Sequence, residues 1–380
     1  MCASPVIQTL SGLVRINSVN PAFQDGNPES EIVAFVEQFF EQQGIETRRQ
    51  AVWPDRPNLI ARLPGRQASR RVVFEAHCDT ASITGMTIPP FEPSISGGLL
   101  YGRGSCDTKA GLAGMMEALA SLKKEGIVPP CEIWVVAAAD EEYSFQGATE
   151  LCRGLSATAA VVSEPTDLRL VIASKGCLRW SIVSKGKAAH SSKPHLGINA
   201  ISNMTHIIQA LEQDAERLMQ RQHPLVGGPT CNVGLIRGGV QVNFVPDSCV
   251  IEVDRRLIPG EKPSEVFAHY QAVLDDLKKI HPTLECVMEP PRLEAMPLET
   301  AATAAPAVLA SQILTGMKLN PEPAGVPYGS DASVFSRASI PAILFGPGSI
   351  DQAHGAVEYV DCSQVEQSVE FYRQFMLNFE

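Results

Sequence analysis

The 380-residue chain is short of basic residues: 31 Lys and Arg stand against 42 Asp and Glu, a net charge of -11. Polyanions are gripped by concentrated Lys and Arg, so this balance argues against a nucleic-acid or anionic-membrane partner. Long apolar runs are also missing, and none approaches the ~20 residues that a membrane-spanning helix needs. The opening MCASPVIQTLSGLVRINSVNP places Arg15 and polar residues where a secretory signal requires an apolar core, so a cytoplasmic protein is expected. None of the ten cysteines (Cys2, Cys78, Cys106, Cys131, Cys152, Cys177, Cys231, Cys249, Cys286 and Cys362) stands in a C-x-x-C pair. Scattered cysteines in a long cytoplasmic chain read as small buried thiols rather than disulfides. Cys78 and Cys106 differ in lying beside acids, but strand periodicity turns Cys78 to the face opposite His77 and Asp79, where it reads as a small packing residue.

Several catalytic motifs are absent too. There is no H-E-x-x-H, no phosphate-binding G-x-x-x-x-G-K-[ST] and no G-x-S-x-G elbow. YGRGSCD comes close to the dinucleotide-binding G-x-G-x-x-G but lacks its last glycine. Internal repeats and low-complexity tracts are absent as well.

What is present is an ordinary globular composition, 44% apolar and 19% charged, on a chain long enough for two domains. Apolar spacing predicts a helix over 30–43, strands over 58–63 and 70–77, and a helix over 108–126. A strand over 132–140, a short helix over 147–155 and a strand over 159–165 follow. Near-continuous apolar strands alternating with helices indicate an α/β domain with a mixed, mostly parallel sheet flanked by helices. From 177 the pattern changes to one-sided strands with amphipathic helices over 199–218 and 263–280. The segment 289–297 reads as a linker, and the tail returns to α/β signals. The expected organisation is a discontinuous domain of 1–176 and 290–380 with an α+β domain of 177–289 inserted in it.

Ligands bind outside the carboxyl ends of strands in open parallel sheets. Three predicted strands end there in possible metal ligands: His77 and Asp79, then Asp140, Glu141 and Glu142, then Glu164. The loop GRGSCDTKAG adds Asp107 just before a helix, and DQAHGAVEYV adds His354. Any one of these acids alone is a cap or a solvated charge. Together they are unfavourable unless cations neutralise them. A mixed His and carboxylate set suits zinc, manganese or cobalt, and one bridging carboxylate would hold two ions ~3.5–4 Å apart.

The motifs AHCDT, GRGSCDTKAG, ADEE, SEP, GKAAHSSKPHLGINAI and AHGAVEYV occur in the order found in the dinuclear-zinc aminoacylase and carboxypeptidase family, which this sequence resembles over essentially its whole length. That family includes acetylornithine deacetylase, succinyl-diaminopimelate desuccinylase, glutamate carboxypeptidases and dipeptidases. The resemblance implies two Zn2+ ions (Co2+ or Mn2+ in their place). His77 and Glu164 would hold one, Glu142 and His354 the other, and Asp107 both. It implies Glu141 as general base and Asp79 as the residue that orients His77. It also implies a cis bond between Asp107 and Thr108. The inserted block resembles a ferredoxin-like lid and dimerisation domain. His190 would polarise the scissile carbonyl there, Asn243 would contact substrate and Arg256 would anchor its carboxylate. Gly329, Ser330 and Asp331 resemble a loop near that carboxylate. Ala81-Ser82, where many members have Val-Pro, and Thr108, where Met is common, depart from the pattern and put the substrate subgroup in doubt.

The expected activity is hydrolysis of the amide bond of an N-acyl amino acid, as in acetylornithine deacetylase, by a homodimer that joins through the lid. Succinyl-diaminopimelate desuccinylase and a dipeptidase or carboxypeptidase acting on short peptides are the alternatives. A catalytically dead metal-binding protein and a hydrolase using Cys78 or Cys106 are remoter ones.

Overall fold

The computed structural model describes residues 4–380, with Ala68 by its backbone alone; Cys2 lies outside the described residues. The chain divides into two compact units, one of residues up to 172 with 299–324 and 330–380, the other of 173–298 with 325–329.

In the first unit the strands lie in the order Glu46–Trp53, Arg56–Leu63, Cys131–Ala138, Gln67–His77, Ala159–Val162, Ala342–Leu344. The last four run parallel and the first two form an antiparallel hairpin along Cys131–Ala138. The parallel strands are mostly apolar where helices cover the sheet, and Phe74 shows how tightly. Its ring meets Tyr372 and Phe375 of the final helix Cys362–Asn378 edge-on, at 6.1 and 5.8 Å between centroids. Burying each such side chain contributes about 1.5–3 kcal/mol. Helices Pro5–Val14, Ser30–Gln42 and Lys109–Lys124 contribute Leu10, Phe40 and Met115 to the same core. The strand ends His77 and Ala138 stand in register, so the loops that follow them emerge side by side.

The second unit is an antiparallel sheet in the order Thr230–Gly238, Ser248–Leu257, Gly176–Lys185, Glu285–Met288. Alternate residues Ile251 and Val253 pack under helices Ala200–Leu218 and Pro263–Ile280, with Trp180 against Tyr270. Asn199 caps the first of these helices by accepting from the N–H groups of Ile201 and Ser202. The segment expected to be a linker contains the strand Leu293–Ala295, paired with Gly176–Lys185. Its three residues are too few to show alternation between Pro291 and Pro297, which is why the sequence read as a connection. No described helix is long and apolar enough to cross a membrane.

Candidate metal centre

Strand geometry puts His77 and Asp79 on one side and Cys78 on the other. Cys78 is fully buried in the core, and burial pushes its thiol well above the usual range. Cys106 is likewise buried, donates to the Ser349 carbonyl, and is raised by burial and then by Glu358. Neither thiol is poised as a nucleophile. All nine described cysteines are free.

Two groups of possible metal ligands share Asp107: His77, Asp107 and Glu164 form one, and Asp107, Glu142 and His354 the other. Within each group the ligand atoms lie within 4.8 Å of one another. Asp107 divides its oxygens between them, with Oδ1 at 3.1 Å from His77 Nε2 and Oδ2 at 3.3 Å from His354 Nε2. His354 Nε2 also stands 3.1 Å from Glu142. Glu141 Oε2 is 4.0 Å from His77 Nε2.

The donor set fits a pair of divalent cations. His77 Nδ1 lies 3.0 Å from the main-chain carbonyl of Asp79, an acceptor that calls for a proton on Nδ1. In the neutral ring this leaves the Nε2 lone pair facing Asp107, the arrangement of a ligating imidazole. Charge points the same way. Burial drives Glu141 and Glu164 well above ordinary carboxylates, with neighbouring acids adding to it. Against burial, hydrogen bonds from His354 and His77 hold Asp107 low. Asp107 and Glu142 raise His354 to about 10. Burial opposes protonation of His77, yet Asp107, Glu141 and Asp79 lift it well above its usual value. The cup draws in positive charge, and mixed nitrogen and oxygen donors suit zinc, cobalt or manganese.

Asp79 takes part differently from a simple partner of His77. Its carboxylate is 3.7 Å from Nδ1, farther than its own carbonyl. Its oxygens accept from the N–H groups of Glu141 and Glu142, each at 3.1 Å, and from Asn20 Nδ2 at 2.7 Å. One side chain thus ties the His77 strand to the Glu141–Glu142 loop. That loop turns at Asp140, whose φ of +69° is held by Asn20 and Arg56 on its carboxylate. The Asp107–Thr108 bond is cis.

Sequence reasoning missed Glu358, which is fully buried and accepts from the N–H groups of Cys106 and Asp107 while pairing with Arg103 at 2.6 Å. It missed Asn20 and Lys109 as well; the Lys109 ammonium donates to the Leu13 and Ile16 carbonyls. Glu358 lies inside the motif AHGAVEYV, so for it a signal existed without an assignment.

In the second unit Ala189–His190 pairs with Phe244–Val245, bringing His190 beside Asn243. The His190 ring is exposed and its Nδ1 accepts from the Ser192 N–H. Arg256 lies on Ser248–Leu257 and bonds Asp254. Gly329 belongs to this unit, whereas Ser330 is fully buried in the first.

Set beside known proteins, the chain is a hydrolase of the metallopeptidase class. It belongs to peptidase family M20/M25/M40, whose family model matches residues 73–378. An acetylornithine deacetylase of Myxococcus xanthus is 30% identical over 88% of this chain and 88% of its own length. Among solved structures, an aminopeptidase PepT from Bacillus cereus superposes with a TM-score of 0.80 at 21% identity, covering 98% of this chain and 97% of that one. A protein from Bacillus subtilis described as a dinuclear metal-binding peptidase of family M20 gives 0.73 at 17% identity, covering 99% and 98%.

Proposed function

We propose that the protein is a dinuclear metal-dependent deacylase that hydrolyses the amide bond of N-acyl amino acids, in the manner of acetylornithine deacetylase. The observation that carries this reading is the shared Asp107, one carboxylate common to two ligand groups, with Glu141 outside both groups but beside them. The resemblance to the deacetylase over most of both chains supports the acyl amino acid as substrate.

In this reading His77, Asp107 and Glu164 would hold one ion and Asp107, Glu142 and His354 the other. Bound zinc, or cobalt or manganese, would supply Lewis acidity toward the amide carbonyl and make water acidic enough to lose a proton near neutral pH. Glu141 accepts a proton from the attacking water and returns it to the leaving amine. Burial raises the Glu141 carboxyl well above the usual carboxylate range, the direction that suits a group which accepts a proton and then returns it. Asp79 fixes the loop that carries Glu141 and Glu142. His190 donates to the developing oxyanion. Arg256 holds the amino-acid carboxylate through paired hydrogen bonds, with Asn243, Gly329 and Ser330 as further substrate contacts.

We also propose a homodimer built on the second unit. Its strand Thr230–Gly238 ends the sheet order and exposes Leu235 and Ile236, and the following loop exposes Val240 and Val242 almost completely. An uncovered apolar edge of this kind is ordinarily closed by another chain.

A screen of the zinc- or cobalt-loaded protein on N-acetylornithine, N-succinyl-diaminopimelate, other N-acetyl amino acids and simple dipeptides tests the reading. Turnover of acyl amino acids well above dipeptides is expected. Cleavage of dipeptides alone would reassign it as a peptidase.

A further inference from the structure

The polar face of the second unit's sheet carries more positive charge than its own acids neutralise. Along Ser248–Leu257 the residues Glu252, Asp254 and Arg256 share the face opposite the packed Ile251 and Val253. Glu252 is paired with Arg237 at 3.6 Å and with Arg292 at 2.5 Å. Asp254 is paired with Arg179 at 2.7 Å and with Arg256 at 2.8 Å. Four guanidiniums therefore share two carboxylates.

Arg179 and Arg256 are the less exposed pair of the four, at 46% and 29% of the side chain. Asp254 stands directly opposite Arg179 in the strand register, and Arg256 stands opposite Cys177. The two guanidiniums thus flank one carboxylate from neighbouring strands. Among the described residues Asp254 is the only acid paired with either. Arg179 meets it through Nε and Arg256 through Nε and Nη2, which leaves both terminal nitrogens of Arg179 and Nη1 of Arg256 free of any carboxylate. Lys175 adds a further cation close enough to be repelled by Arg256.

We propose that Arg179 determines specificity by binding a second carboxylate next to the one held by Arg256, so that the preferred substrates are N-acyl amino acids with acidic side chains. The inference rests on the deacylase reading and on Arg256 as anchor of the α-carboxylate. One anchored carboxylate uses up the free donors of Arg256 and leaves those of Arg179. Beside its contact with the Cys177 side chain, a planar guanidinium whose terminal nitrogens meet no carboxylate presents the paired donors that a carboxylate accepts. A cationic side chain such as that of ornithine would instead meet like charge on the same face, which selects against it.

The test compares N-acetylglutamate, N-acetylaspartate, N-acetylnorvaline and N-acetylornithine on the zinc- or cobalt-loaded wild type, Arg179→Leu and Arg179→Lys, with circular dichroism to verify folding. Wild type is expected to favour the acidic substrates in kcat/KM. Arg179→Leu should lower kcat/KM for them by about 30-fold or more through KM while leaving N-acetylnorvaline within about 2-fold, with Arg179→Lys intermediate. Equal or better cleavage of N-acetylornithine by wild type, or an equal loss on every substrate in Arg179→Leu, overturns the proposal. If no acyl amino acid is cleaved, the deacylase reading fails on its own. Calorimetric binding to the Glu141→Ala protein then decides the inference. N-acetylglutamate must bind more tightly than N-acetylnorvaline and lose that advantage when Arg179→Leu is added, and equal affinities overturn it.

Discussion

Each oxygen of Asp107 faces a different histidine, and the carboxylates around them raise both imidazoles above their usual range. Ligation needs those nitrogens deprotonated, so metal binding at neutral pH must expel protons and weaken as pH falls. With His354 raised to about 10, the competition operates throughout the neutral range. Calorimetry in two buffers of different ionisation enthalpy should show net proton release, and none would contradict this electrostatic picture. Glu141→Ala is expected to lower kcat by roughly 10²–10⁴-fold while metal content stays that of wild type. Asp79→Asn replaces an oxygen that accepts the loop N–H groups with an amide donor. A fall of about 10–100-fold in metal affinity or kcat/KM is expected, measured by chelator competition and initial rates. The grouping of His77, Asp107, Glu142, Glu164 and His354 was legible in sequence because most of them end or follow apolar strands. Glu358 and Asn20 were not, since what they bind is main-chain N–H or a carboxylate brought in by a distant loop, and no local pattern records that.

Among the elements, helix Lys109–Lys124 lies close against the strand ends. A Cβ on Gly111 would stand 1.6 Å from Ser163 Oγ, next to Glu164. Gly111→Ala should therefore cost about 1–3 kcal/mol, read as a lower denaturant midpoint, although alanine is the better helix former. An unchanged midpoint would mean that the helix is free to move away. The long periodic helices and the buried parallel strands were readable because their patterns persist over many residues. The short strands Val171–Ser174 and Leu293–Ala295 were not, because their pairing is set by distant partners rather than by local alternation.

At the scale of the whole molecule, two compact units formed by a chain that leaves and re-enters the first explain why the α/β signals are interrupted and then resume. The apolar edge of the second unit makes the oligomeric state testable. Light scattering should give twice the chain mass, and Ile236→Lys should shift the protein toward the monomer without abolishing metal binding; a monomeric wild type would remove the dimer from the account. The central claim is that two ions share Asp107 and that amide hydrolysis depends on them. Its most direct test is to titrate metal-free protein with zinc or cobalt while following hydrolysis of an N-acetyl amino acid. The account predicts no turnover without metal, a rise that completes at two ions per chain, and loss of both binding and turnover in Asp107→Ala. Full activity in chelator, or saturation of the Asp107→Ala protein with two tightly bound ions, would contradict it.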